Sequence, residues 1–370
     1  MAFDFDSLVA DNIRILRPYQ PGKPIETLER ELGITGAIKV ASNENPMGPS
    51  PKAIAAAREA LAKVHLYPDG GAYQLRTALA DKLGVGPDHL VFGAGSNELI
   101  HLIMRTFTVP GRDQVLAPKY AFISYKAGAI AHGVEFVESE VNDQLGCDVD
   151  AMLAAVTERT RVVFVANPNN PTGAYVPRAD FERLLDGIPD NVILVVDEAY
   201  HEYASRAAAD YPQAQQYMGE SRPLIINLRT FSKIYGLAGL RIGYGLCDPR
   251  IANFIDRVRR PFNANSVGQA AALAALDDDA HVDASSDAAV TGIAALRAAA
   301  EAAGVKAYPS LGNFVLVDVG RDSEPVHDAL QKDGVIVRPM RAWGLPTCLR
   351  ISVGTQAESE RASQALARAL

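Results

Sequence analysis

Short apolar runs recur between residues 90 and 246, each separated from the next by a longer stretch with helical spacing. Segments 90–92, 114–116, 134–137, 161–165, 192–196, 224–228 and 241–245 have the length and β-branched content of strands. Near-continuous apolar strands alternating with amphipathic helices are the pattern of a parallel sheet covered on both faces. The expectation is therefore an α/β fold with a mainly parallel seven-stranded sheet. After Pro261 the pattern changes. An alanine-rich stretch over 269–303 is interrupted by acidic residues at 277–279 and 283–287, and it predicts two helices joined by a polar turn. Three more strand candidates, 314–319, 335–338 and 349–353, precede a final helical stretch, which predicts a small α+β domain.

At the start of the chain, Pro18, Pro21 and Pro24 lie close together and precede a short helical stretch. That composition predicts an arm and not a domain. The expected division is an arm over 1–35 that contributes to the small domain and the substrate site, a large domain over 36–261 and a small domain over 262–370. The length of 370 residues suits two domains at about 150 residues each.

Composition narrows the function classes. The net charge of -8 argues against nucleic acid as the main partner, since that interaction needs clustered Lys and Arg. No apolar run approaches the roughly 18 residues of a membrane span. Cys147, Cys247 and Cys348 are far apart and odd in number, and Asp4, Asp6 and Asp11 stand where a signal peptide would carry basic residues. A cytoplasmic protein without disulfides or a metal site is expected.

Four segments at predicted strand ends carry candidate chemistry. Gly93-Ala94-Gly95-Ser96-Asn97 turns into a helix N-terminus, where backbone N–H groups and the helix dipole favour an anion such as phosphate. A lone glycine turn is more often only a turn. Asn167-Pro168-Asn169-Asn170-Pro171-Thr172-Gly173 is a stiff loop dense in amides. Asp197, after five apolar residues, is costly to bury without a cationic partner, unless it merely caps a helix. Tyr200, three residues on, can turn its hydroxyl toward the same place. In Thr230-Phe231-Ser232-Lys233, followed by Arg241, hydroxyls and a guanidinium suit a phosphate, and a lysine with a depressed pKa can bond an aldehyde.

Together these segments resemble the fold-type I pyridoxal phosphate aminotransferases, and among them the histidinol-phosphate aminotransferases most closely. The resemblance extends from Pro18-Tyr19 through Asn43-Glu44-Asn45-Pro46 and Tyr67-Pro68-Asp69-Gly70 to Leu349-Arg350-Ile351-Ser352. It implies that Lys233 bonds the aldehyde of pyridoxal 5'-phosphate and then serves as general base and acid. Asp197 would pair with the ring nitrogen, while Asn170 and Tyr200 would hold the phenolic oxygen. Tyr120 would stack on the ring. Ser96, Asn97, Thr230, Ser232 and Arg241 would bind the phosphate, with Tyr67 reaching it from the second subunit of a homodimer. Arg350 would take the substrate's anionic group, Arg338 its phosphate, and Tyr19 and Asn43 would line the pocket. Arg341 competes with Arg338 for that role. The implied reaction moves an amino group between histidinol phosphate and 2-oxoglutarate, giving glutamate, in histidine biosynthesis. An aromatic amino-acid aminotransferase and a decarboxylase on the same scaffold are the rivals. A transcription regulator with this domain as a sensor would need a DNA-binding domain ahead of it.

Overall fold

The computed structural model describes residues 5–18, 20–219 and 224–370. Tyr19 lies outside the described residues. The strands are β1 (Ile38–Lys39), β2 (Leu90–Gly93), β3 (Gln114–Pro118), β4 (Glu135–Ser139), β5 (Thr160–Ala166), β6 (Ile193–Asp197), β7 (Leu224–Thr230), β8 (Gly243–Cys247), β9 (Lys306–Ala307), β10 (Phe314–Asp318), β11 (Val335–Ile336), β12 (Arg338–Pro339) and β13 (Cys348–Ser352).

A seven-stranded sheet has the order β2-β8-β7-β6-β5-β3-β4. Pairing is parallel from β7 through β4, and β8 runs antiparallel to both β7 and β2. Side chains on a strand alternate between faces, so a sheet covered on both sides needs apolar residues at every position. β5 meets that need. Val162 and Phe164 pack with the helices Ser96–Phe107 and Pro249–Val258, whereas Val163 and Val165 pack with the helix Arg178–Gly187 on the other face.

The C-terminal part forms a second core. β10 and β13 supply Val315, Val317, Leu349 and Ile351 to a cluster that also contains Leu296, Leu330 and Leu366 from three helices. The sheet here is four-stranded, β12-β13-β10-β9. The alanine-rich stretch becomes the helices Ser266–Leu276 and Asp279–Ala302. The turn falls at residues 277–278, and the acidic residues at 283–287 belong to the second helix. Its 24 residues stay helical because Ser285, Ser286 and Ala289 are buried while Asp283 and Asp287 remain on the solvent side.

The sequence pattern does not show how the N-terminal part is used. β1 pairs in parallel with β11, Val40 O accepts the Ser352 N–H at 2.8 Å, and the Ser352 hydroxyl donates to Asn43 Oδ1 at 2.7 Å. Residues 38–43 are thus laced to the C-terminal sheet, hundreds of positions away in sequence. No helix of the described residues is long and apolar enough to cross a membrane.

Candidate active site

In open α/β sheets ligands sit beyond the carboxyl ends of the strands. Here a cavity of about 130 Å³ lies at that edge, lined by the ends of β5, β6 and β7 and by the start of the helix Ser96–Phe107. It gathers Ser96, Asn97, Asn170, Asp197, Tyr200, Thr230, Ser232, Lys233 and Arg241 from four separate segments. The strand register explains the convergence, since Ala166, Asp197 and Leu228 are aligned across three adjacent strands.

One end of the cavity is built for an anion. Arg241 Nη1 donates to the Ser232 hydroxyl at 3.3 Å and Nη2 to Ala94 O at 3.4 Å, next to the helix N-terminus. Gly95 permits this approach. Its φ is 77°, and a Cβ there would lie 2.5 Å from Arg241 Nη2. Arg241 itself holds a φ of 52°, a left-handed value unfavourable for a residue other than glycine, and this brings the guanidinium over the turn. Asn97 Oδ1 is buried without a hydrogen-bond partner.

At the other end Asp197 is buried, with Oδ2 accepting from the Tyr125 hydroxyl at 2.8 Å and Oδ1 from the Ala199 N–H at 3.2 Å. Burial pushes its carboxyl up to about 6, against those two hydrogen bonds and the charge of Lys233. A carboxylate in that position calls for a cation. Lys233 Nζ lies 5.5 Å from the centre of the Tyr200 ring.

The wall toward the C-terminal sheet is a hydrogen-bonded seam. Asn43 Nδ2 donates to the Tyr200 hydroxyl at 2.8 Å, Arg350 Nη1 to Asn170 Oδ1 at 2.5 Å, and Arg350 Nη2 to Ala41 O at 2.6 Å. Phe314 meets the Tyr200 ring edge-on at 5.3 Å. Arg338 stands apart, donating to Gln20 O at 2.7 Å with its guanidinium 5.5 Å from the Trp343 ring. Arg341 turns to Asp322 instead, at 2.5 Å.

Besides Arg338, Tyr67 and Tyr120 are also away from this cavity. Tyr67 is 83% exposed and stacks on Phe262 at 4.8 Å. Tyr120 lines a separate crevice with Lys126, Phe136 and Trp343, its ring directed at Gly344. Its φ of 57° turns the chain so that Phe122, the N-cap of the helix Ile123–Ala131, becomes the aromatic wall of the cavity. At this cavity the aromatic residue of the loop is Phe122 and not Tyr120. Two aromatic residues in one short loop were the only sequence signal for it. Tyr125 was missed as well, because a tyrosine inside a helical stretch carries no signature of the carboxylate it will meet.

A phosphate-sized cradle, a buried carboxylate in want of a cation, an orphaned amide oxygen and a lysine around one cavity fit pyridoxal 5'-phosphate. The chain belongs to the class I and II aminotransferases, whose family model matches residues 35–366. It uses the pyridoxal phosphate of that class. Within the class it is 48% identical over 366 residues to a histidinol-phosphate aminotransferase of Anaeromyxobacter sp., covering 98% of this chain and 99% of the relative. A histidinol-phosphate aminotransferase of Methylococcus capsulatus is 46% identical, with 98% of each chain covered. The crystal structure of histidinol-phosphate aminotransferase from Sinorhizobium meliloti in complex with pyridoxal-5'-phosphate superposes with a TM-score of 0.87 at 31% identity, covering 98% of this chain and 97% of that one.

Proposed function

We propose that this enzyme transfers the amino group between L-histidinol phosphate and 2-oxoglutarate, giving imidazole acetol phosphate and L-glutamate, in histidine biosynthesis. The observation that carries the proposal is near-full-length similarity to relatives of that name, joined to two arginines of the C-terminal sheet, Arg350, which bonds the cavity residue Asn170, and Arg338 beside it. These two residues are register partners on adjacent strands, so their Cα atoms face each other across β12 and β13.

In this reading Ser96, Asn97, Thr230, Ser232 and Arg241 hold the cofactor phosphate, Asn170 and Tyr200 its phenolic oxygen, and Phe122 covers one face of the ring. Bound there, the cofactor supplies the carbonyl carbon that carries nitrogen and a ring that withdraws electrons from the substrate Cα–H bond. Asp197 keeps the proton on the ring nitrogen, and Tyr125 fixes the carboxylate's orientation. Lys233 Nζ anchors the resting enzyme and takes the Cα proton as general base. Arg350 receives the carboxylate of glutamate or 2-oxoglutarate, held in place by Asn170 and Ala41. Arg338 takes the phosphate of histidinol phosphate, and Asn43 and Tyr19 complete the pocket.

We further propose a cytoplasmic homodimer in which Tyr67 reaches the partner's cofactor phosphate. Leu61, Val64, Leu66, Tyr67, Tyr73 and Phe262 form a run of exposed apolar side chains, which suits an interface. The division into arm (1–35), large domain (36–261) and small domain (262–370) is retained, with the 38–43 segment working on the small-domain side.

Steady-state kinetics with histidinol phosphate and with phenylalanine, each against 2-oxoglutarate, tests the substrate. The larger kcat/KM belongs to histidinol phosphate, and the reverse order would falsify the proposal. Light scattering checks the dimer.

A further inference from the structure

The aligned triple Ala166, Asp197 and Leu228 is followed on each strand by a buried polar residue: Asn167, Glu198 and Arg229. Arg229 donates from Nε to Glu198 Oε2 at 3.0 Å, and its Nη2 stands in ion-pair contact with the same oxygen at 2.9 Å. Oε1 accepts the Ala214 N–H at 2.9 Å, and His201 Nδ1 stands 3.3 Å from Oε2. Tyr211 packs on His201 with ring centres 5.9 Å apart and donates its hydroxyl to Asn167 O at 2.7 Å. The backbone repeats the bracing: Asn167 N donates to Asp197 O at 2.9 Å and Glu198 N to Leu228 O at 2.8 Å.

A buried ion pair is seldom a net source of stability, because desolvation cancels its attraction. Here it stands where three loops leave the sheet, and those loops carry Asn170, then Asp197 and Tyr200, then Thr230, Ser232 and Lys233. Burial would raise the Glu198 carboxyl, but Arg229 and His201 outweigh it and hold it at about 2, so both partners are charged. Glu202, Tyr211 and Tyr244 are the other ionisable groups around the pair. Tyr125, Lys233 and Glu198 are those facing Asp197.

We propose that Glu198 is a positioning residue for the cofactor site: with Arg229 it braces the three loops and leaves Asp197 beside a balanced pair, not a lone buried charge. The inference rests on Asp197 as the partner of the ring nitrogen. Removing Glu198's charge leaves the Arg229 cation unopposed, which weakens the hold of Asp197 on a second cation at the ring.

The holoenzyme's near-visible band, titrated with pH, reads this directly. Glu198→Gln shifts the midpoint by about one unit or more, as one unpaired charge within about 12 Å at an effective dielectric near 20 requires. The neutral double variant Glu198→Gln/Arg229→Gln brings the midpoint back to within about 0.3 unit of the parent, although its melting temperature stays lowered. A midpoint unmoved in the single variant, or still displaced in the double, overturns the proposal. Arg229→Lys carries the test if the Gln variants do not fold. It keeps the charge and loses the Nε hydrogen bond, so the midpoint stays while the cofactor leaves several-fold faster on dialysis; unchanged retention overturns the bracing. Asp197→Asn separates the two levels. If both Glu198→Gln and Asp197→Asn leave the midpoint in place, the assignment of Asp197 has failed and the proposal falls with it; if Glu198→Gln alone leaves it in place, the role of Glu198 has failed and Asp197 stands.

Discussion

The two sides of the active-site cavity are built differently. The sheet side is a set of adjacent strand ends, with Asp197, Thr230 and Ser232 buried and joined by register-fixed backbone hydrogen bonds. The C-terminal side is assembled from residues 20, 41, 43, 338 and 350, each held by one or two side-chain bonds to a distant backbone. A rigid side suits chemistry that never changes from turnover to turnover, since preorganised groups cost no reorganisation. A side made of separate pieces suits a site that must accept two different anions in turn. Substitutions on the sheet side should therefore abolish the reaction for every substrate, and substitutions opposite should discriminate between substrates.

The largest effect belongs to Lys233→Ala. Loss of the base on the sheet side lowers kcat by about 10³–10⁴-fold for histidinol phosphate and phenylalanine alike, with loss of the near-visible band after dialysis. A difference of more than tenfold between the two substrates would break the comparison.

Asp197→Asn comes next, with a fall of about 10²-fold in kcat/KM, as two or so units of lost proton affinity at the ring nitrogen dictate. The same residue makes a prediction for the apoprotein. Its carboxyl is protonated up to about pH 6 when folded, against an ordinary value near 4, so the folded state binds the extra proton between those limits. Stability from this group is present below pH 4 and is lost as pH rises through 6. Thermal melts of the apoprotein should decline over that window. Bound cofactor or Asp197→Asn should flatten the profile.

On the other side, Arg338→Ala should lower kcat/KM for histidinol phosphate by about 10–100-fold and leave phenylalanine within a few-fold, because a charge-assisted hydrogen bond contributes about 1.5–3 kcal/mol. Arg350→Ala should affect phenylalanine and 2-oxoglutarate, whose carboxylates it receives, more than histidinol phosphate, which has no carboxylate. Equal losses for both donors in Arg338→Ala would move the phosphate to another cation. Arg341 is the poorer candidate because it is turned to Asp322.

The difference between the two sides also decides what could be seen in the sequence. Asp197 and Lys233 were legible because they stand at or just after the end of a strand whose apolar run marks the sheet edge, and Arg241 because it stands just before the next strand. Strand register then does the rest, bringing neighbours in the fold from loops 30 residues apart. The pairing of β1 with β11 and the Arg350–Ala41 bond were not legible, since a two-residue strand has no periodicity and the contact spans more than 300 positions. The Glu198–Arg229 pair stands next to two of the segments singled out in the sequence, yet its partnership depends on register between β6 and β7. Tyr120 was assigned by motif although the backbone at that residue turns over. A φ of 57° at a tyrosine cannot be read from residue type.

That turn gives the smallest and most local prediction. If Phe122 covers the cofactor ring, Phe122→Ala should raise the cofactor dissociation constant by about 3–10-fold, since aromatic pairs contribute about 0.5–1.5 kcal/mol beyond buried area. Tyr120→Ala should change it less than twofold. The pair of substitutions is well matched on the backbone: alanine at 120 meets the same left-handed φ that tyrosine does, so the strain is common to parent and variant. What Tyr120→Ala does remove is the packing of the ring against Gly344 and the edge of the second crevice, which touches the C-terminal side and not the cofactor. Fluorescence titration of each apoprotein with pyridoxal 5'-phosphate reads both constants. A larger loss in Tyr120→Ala than in Phe122→Ala would return the ring contact to Tyr120 and place this loop among the parts that rearrange when the cofactor binds.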